Sequence, residues 1–154
     1  MPILIVMVGP SGSGKSTWIK EYLAKHPDFK VVSPDTLRKE ILGNVSDQSR
    51  GKEIWDKAYA RTKKNLLSGQ NVIFDATMVS EKSRKDLRDF LQDVPHKLFY
   101  KVMQAEDLKT LASRVNKDIE SGVERSKVPA EAIERQMAKF KADINKISKD
   151  QLMK

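Results

Sequence analysis

Nine consecutive residues, Gly9-Pro10-Ser11-Gly12-Ser13-Gly14-Lys15-Ser16-Thr17, satisfy the pattern G-x-x-x-x-G-K-[ST] at every required position. Each residue type has a physical task. Glycines let the main chain curl so that its N–H groups point inward at an anion, and a helix starting just after them adds the positive end of its dipole. The Lys15 ammonium neutralises charge on β- and γ-phosphates, and the Ser16 hydroxyl is a ligand for Mg²⁺. The expected ligands are therefore the phosphates of ATP with Mg²⁺, held by Gly9, Ser11, Gly12, Ser13, Gly14, Lys15, Ser16 and Thr17. A dinucleotide-binding fingerprint would need a glycine three residues beyond Gly14, where Thr17 stands.

Asp35 and Arg38 follow at helical spacing. A carboxylate near bound phosphates can take the proton from an acceptor hydroxyl as it attacks the γ-phosphate, which is typically worth ~10²–10⁴ in rate. A guanidinium beside it suits an anionic part of the acceptor. The plainer reading is an Asp N-cap with an i, i+3 ion pair on an exposed helix. Asp75 ends the run Val72-Ile73-Phe74, like the strand-terminal aspartate that organises Mg²⁺ and its waters. It could equally anchor Arg38 or cap the following turn with Thr77. Arg125, in a glycine-containing charged stretch, and Arg114, in a helical one, are candidates to close over the phosphates; the alternative is solvated surface. His26 and His96 each adjoin a proline with no partner spaced for a metal site, so both read as surface residues. Trp55 and Tyr59 read as core rather than as a base-stacking platform. Lys63, Lys64, Lys82, Arg84, Lys85 and Arg88 would track phosphates only if they faced the acceptor.

The elements needed to position these groups are legible from the apolar pattern. Ile3 to Val8 is a continuous apolar run ended by Gly9-Pro10, the mark of a central parallel strand buried on both faces. A helix is expected over Lys15 to Lys25, a short strand at Val31-Val32, and, after Ser33-Pro34-Asp35, a helical stretch through Leu42. A polar loop from Gly43 to Ser49 leads to a helix from Gly51 to Ser68, with Gly69 as its terminator. A third strand over Asn71 to Asp75, a helix over Ser80 to Leu91 and a fourth strand over Lys97 to Met103 follow. A helix over Glu106 to Ile119, a charged loop from Gly122 to Val128 and a last helix opened by Pro129 complete the pattern. The polar segment after Asp143 is expected to fray. Strands alternating with helices imply an α/β fold, a doubly wound, mostly parallel sheet, in a single domain over 1–154.

Composition narrows the class. Hydrophobic residues make up 39% and charged residues 32% of the 154, and no apolar run approaches the length of a membrane span. The short N-terminal apolar run has no basic flank and leads into the glycine loop, unlike a signal peptide. There is no cysteine, which excludes disulfides and thiolate chemistry and points to the cytoplasm. The formal charge of +8, from 29 Lys plus Arg against 21 Asp plus Glu, favours polyanionic partners such as nucleic acid, though a lysine-rich solubilising surface has the same composition.

With these residues in view, the chain resembles the kinase domain of phage 5′-hydroxyl polynucleotide kinase, the kinase half of polynucleotide kinase-phosphatases. The resemblance covers nearly the whole chain. It is carried by Gly9 to Trp18, Asp35-Thr36-Leu37-Arg38, Asp75-Ala76-Thr77 and the arginine-bearing stretch ending in Val128-Pro129. It implies a P-loop kinase-like fold with a short helical lid. Lys15 and Ser16 would act on ATP phosphates and Mg²⁺, Asp35 as general base, and Arg38 on an acceptor phosphate. Asp75 would orient Arg38, and Arg125 would sit on the donor phosphates. The stretch from Arg114 to Val128 is longer than in that family, so Arg114 competes for the place of Arg125. No Asp-x-Asp motif is present, so the resemblance implies kinase without 3′-phosphatase activity. The expected reaction is transfer of the ATP γ-phosphate to a nucleic-acid hydroxyl, the 5′ end of DNA or RNA, in a bacterial host cytoplasm if a phage encodes the chain. A hydroxymethylated base in phage DNA and a small metabolite or nucleoside are the alternative acceptors, and a non-catalytic nucleotide switch is the alternative class.

Overall fold

Alternation along the first strand decides the layering. In β1 (Ile3–Val8), Leu4, Val6 and Val8 turn to one face and Ile5 and Met7 to the other, and all five are buried. A strand apolar on both sides must be covered on both sides. In the computed structural model, which describes residues 1–10, 13–43, 50–103 and 130–153, β1 lies inside a four-stranded sheet. It pairs in parallel with β3 (Asn71–Phe74) on one flank and β4 (Lys97–Val102) on the other, while β2 (Phe29–Val32) pairs with β3. The order is β2-β3-β1-β4 and every pairing is parallel, so the expectation of a mostly parallel sheet becomes an all-parallel one.

The helices divide between the faces. Helix α1 (Lys15–Lys25) lays Ile19 beside Ile5, Met7, Phe29 and Ile73, with Trp18, Tyr22 and Leu23 at the margin. Helices α2 (Pro34–Leu42), α3 (Gly51–Leu67), α4 (Glu81–Phe90) and α5 (Ala130–Asp143) contribute Leu37, Ile54, Ala58, Leu66, Leu87 and Phe140 to the cluster on the other face. The chain leaves β1 in one direction over one face and leaves β3 in the opposite direction over the other face, as uniformly right-handed crossovers require. The loops after β1 and β3 therefore diverge, and the crevice between them lies beyond the carboxyl ends of the strands, where open α/β sheets bind ligands.

Trp55 and Tyr59 pack against Phe74, each with ring centroids 6.0 Å from it, so they belong to the core as expected. Strand β2 begins at Phe29, two residues before its expected start, because buried Phe29 pins the strand although Lys30 and Val31 face outward. The tail does not fray. Two short 3₁₀ turns, Ile144–Lys146 and Lys149–Gln151, follow α5, and Ile147 is buried. Leu152 forms a parallel bridge with Tyr100, and Met153 N–H donates to Tyr100 O at 2.9 Å. The open edge of β4 supplies backbone partners that a polar tail offers no sign of in sequence. The expected helix over Glu106 to Ile119, the loop from Gly122 to Val128, the lid and positions 44–49 lie outside the described residues.

Candidate active site

Strand β1 ends at Val8 and the chain turns at once. Gly9 N–H donates to Thr77 O at 2.9 Å and Ser13 N–H to Pro10 O at 3.2 Å. Gly14 has φ 94°, a left-handed conformation that glycine alone takes without steric cost, and it stands at the N-terminal cap of α1. The Gly14 carbonyl then accepts the first helical bond, from Trp18 N–H at 3.1 Å. Gly9 is required for a different reason: a Cβ there would lie 2.7 Å from Ser13 Oγ and 3.0 Å from Met103 Cβ. The loop is wound tightly. Lys15 Nζ folds back to Gly9 O and Pro10 O, 3.0 Å from each, placing the ammonium over the mouth of the loop. Ser13 Oγ is buried with no hydrogen-bond partner among the described residues, and Ser16 and Thr17 stand exposed in the first turn of α1. Ser11 and Gly12 lie outside the described residues.

Beyond β2 the chain enters α2 through a cap that sets the next pair. Ser33, not Asp35, is the N-cap: its Oγ accepts from Thr36 N–H at 3.4 Å, and Pro34 occupies the first helical position. Asp35 thereby falls in the first turn, where a carboxylate is favoured by the helix dipole. Leu37, 1% exposed, locks this turn to the core; removing its side chain would cost about 2–5 kcal/mol. Arg38 Nη1 donates to Asp35 Oδ1 at 2.5 Å. The two differ sharply in setting, with 9% of the Arg38 side chain exposed against 46% of Asp35. Buried Arg38 Nε has no hydrogen-bond partner among the described residues. A half-exposed carboxylate held by a buried guanidinium can present a proton acceptor while the cation stays fixed beside it.

Asp75 follows β3, between the other two in the order of the strands, and its N–H donates to Val32 O at 2.8 Å, tying it to the end of β2. The turn from Asp75 to Ser80 carries Thr77 O, the partner of Gly9, and passes through Met78 at φ 45°. Ser80 closes it as the cap of α4, its Oγ accepting from Ser83 N–H at 3.1 Å. All four strands are parallel, so the loop from Gly9, the Asp35–Arg38 pair and Asp75 share the carboxyl end of the sheet. Arg114 and Arg125 lie outside the described residues.

The basic residues of α4 each have partners within the chain. Lys82 pairs with Asp86 at 2.8 Å and Lys85 with Asp89 at 2.7 Å. Arg88 donates to Tyr100 Oη at 2.9 Å, and burial pushes the Tyr100 hydroxyl above its ordinary pKa, so it stays protonated beside the cation. Arg84 is fully buried, because it shares the helix face of Leu87 and Leu91 at i, i+3, i+7 spacing. Met103 and Ser33, which shape the site through packing and cap, carry no motif of their own, whereas Thr77, within Asp75-Ala76-Thr77, acts through its backbone carbonyl. Ser33-Pro34 before a helix was the available signal for the cap.

A family model described as "AAA domain" matches residues 4–142. Among solved structures, a chain of the Pnkp1/Rnl/Hen1 RNA repair complex aligns with 26% identity and a TM-score of 0.81, over 96% of this chain and 46% of that one. A chain of a second Pnkp1/Rnl/Hen1 complex aligns with 26% identity and a TM-score of 0.63, over 73% of this chain and 39% of that one. This chain thus spans less than half the length of those relatives. A gluconokinase from Sinorhizobium meliloti 1021 shares the fold, with 21% identity and a TM-score of 0.58, over 99% of this chain and 81% of that one.

Proposed function

We propose that this chain, which belongs to the AAA domain family, is a P-loop kinase that transfers the γ-phosphate of ATP to a hydroxyl of a nucleic acid, the 5′-hydroxyl end of DNA or RNA. The observation that carries the reading is the Asp35–Arg38 pair at the same carboxyl end of the sheet as the phosphate loop. The 26% identity to Pnkp1 chains of RNA repair complexes and the +8 charge support a polynucleotide acceptor.

In this reading the main chain of the loop from Gly9 to Gly14 and the Lys15 ammonium bind the donor phosphates. The tight approach at Gly9, which leaves no room for a side chain, and the ammonium over the mouth fit such a group. The exposed Ser16 hydroxyl fits one ligand position of Mg²⁺, whose role when bound is to neutralise phosphate charge. Arg38 holds an acceptor phosphate and keeps Asp35 oriented. Asp35 takes the proton of the acceptor hydroxyl as its oxygen bonds to the γ-phosphorus. The bond from that phosphorus to the β–γ bridging oxygen breaks, and ADP leaves with the electron pair. Asp75 orients the Arg38 side of the site, and Arg125 or Arg114 covers the donor phosphates.

The test is transfer of radiolabelled γ-phosphate to 5′-hydroxyl DNA and RNA oligonucleotides across a salt series. Labelling of one or both, weakening steeply as salt rises, is expected. Protein that binds ATP but labels neither refutes the acceptor. Labelling confined to duplex containing a hydroxymethylated base, or to a small metabolite without salt dependence, would replace it.

A further inference from the structure

The buried guanidinium of Arg84 spans the turn after β3 and the end of α5. Its Nη1 donates to two successive carbonyls, Met78 O at 2.9 Å and Val79 O at 3.0 Å, and its Nη2 to Asp143 O at 2.7 Å. Asp143 is the last residue of α5, and its carboxylate accepts the Glu81 N–H at 2.8 Å, so the end of α5 is fastened to the start of α4 twice. Glu81 lies near the same nitrogen, its Oε2 being 3.4 Å from Arg84 Nη2. A charge with 0% exposure is costly to keep unless its contacts matter to the structure around it.

What it holds is unusual backbone. Met78 adopts φ 45°, a left-handed conformation unfavourable for a residue with a side chain, and that side chain is buried. One residue earlier, Thr77 O accepts the N–H of Gly9, the first residue of the phosphate loop. Two residues before that stands Asp75. A continuous chain of contacts therefore runs from the end of α5, through Arg84, to the Met78–Val79 carbonyls, and from Thr77 to the loop.

We infer that Arg84 is a positioning residue: by holding the Met78–Val79 carbonyls against the end of α5, it sets the height of Thr77 O under Gly9 and so the shape of the phosphate loop. It touches neither donor nor acceptor. The kinetic half of this inference rests on the kinase reading; the structural half does not.

Two readouts separate them. The first is amide hydrogen exchange of Gly9 in Arg84→Lys, whose single ammonium cannot span three carbonyls on two elements. Gly9 protection is expected to fall by ~10-fold or more while α1 and the core of the sheet keep theirs. The second is transfer to a 5′-hydroxyl oligonucleotide, in which kcat is expected to fall by ~10–100-fold through misplacement of the donor, with the KM for the acceptor held within about 3-fold. Uniform loss of protection with an unchanged kcat per folded molecule would mean a merely structural arginine and overturn the inference. If Arg84→Lys does not fold, Asp143→Ala, which removes the carboxylate fastening α5 to Glu81, decides by the same readouts. It is expected to move both in the same direction by ~3-fold; no change in Gly9 protection overturns the proposal. Should wild type label no oligonucleotide, the kinase reading fails while the exchange of Gly9 still decides the role of Arg84.

Discussion

Replacing Gly9 with alanine tests whether packing, rather than glycine's backbone freedom, shapes the phosphate loop. Gly9 is not among the positive-φ glycines, so alanine carries no backbone penalty there and the whole effect is steric. The new methyl carbon would lie 2.7 Å from Ser13 Oγ and 3.0 Å from Met103 Cβ, against the ~3.5–4.0 Å at which non-bonded carbons rest. The serine hydroxyl can rotate away. Met103 Cβ cannot, because Met103 N–H is bonded to Val8 O at 2.8 Å, fixing that backbone beside the strand. The loop itself must therefore give way. Overpacking of this kind costs about 1–3 kcal/mol. If that cost falls on the nucleotide-competent shape, at ~1.4 kcal/mol per tenfold, ATP affinity drops by roughly 5- to 150-fold. The assay is calorimetric titration of an ATP analogue into Gly9→Ala beside Gly51→Ala as control. A Cβ at Gly51 meets nothing within 4 Å, so the control should bind as wild type and gain at most about 1 kcal/mol of stability. Wild-type ATP affinity in Gly9→Ala would refute the reasoning.

Two further outcomes follow from the frame around the site. The Asp143 carboxyl is held below its ordinary pKa by the Glu81 N–H and by Lys146, so its contribution to stability is full above the ordinary carboxylate value and lost as pH falls through the depressed one. In acid unfolding series the stability difference between wild type and Asp143→Asn should shrink as pH falls; a constant difference contradicts this. Met153→Pro deletes the N–H bonded to Tyr100 O, worth ~1 kcal/mol, and should lower Tm by about 2–4 °C without changing transfer activity. An unchanged Tm would mean that the tail adds nothing to the sheet edge.

Local pattern was enough wherever local chemistry decides the structure. Ile3 to Val8 could only be a strand buried on both faces, and the glycine loop with its lysine could only open a helix. The pairing of Asp35 with Arg38 follows from spacing alone. Other features depend on tertiary partners. Phe29 joins β2 because α1 covers it, and the tail becomes ordered because β4 leaves an edge to bond. By sequence Arg84 groups with Lys82, Lys85 and Arg88 as conditional phosphate contacts, although, in register with Leu87 and Leu91, it lies on the apolar face of α4. The Ser33 cap displaced Asp35 from the position that a simple N-cap reading gave it. Arg114 and Arg125, candidates from their sequence setting and from the resemblance alike, lie outside the described residues.

The central claim is that the Asp35 carboxylate accepts the proton of the attacking hydroxyl. Single-turnover transfer from ATP to a 5′-hydroxyl oligonucleotide by Asp35→Asn, with ATP affinity measured on the same protein, tests it most directly. Asparagine keeps the shape and a contact for Arg38 but cannot accept a proton, so the rate should fall by ~10²–10⁴ while ATP affinity stays within about 3-fold of wild type. Transfer at the wild-type rate would contradict the account and leave this chain a binder of nucleotide without the chemistry assigned to it.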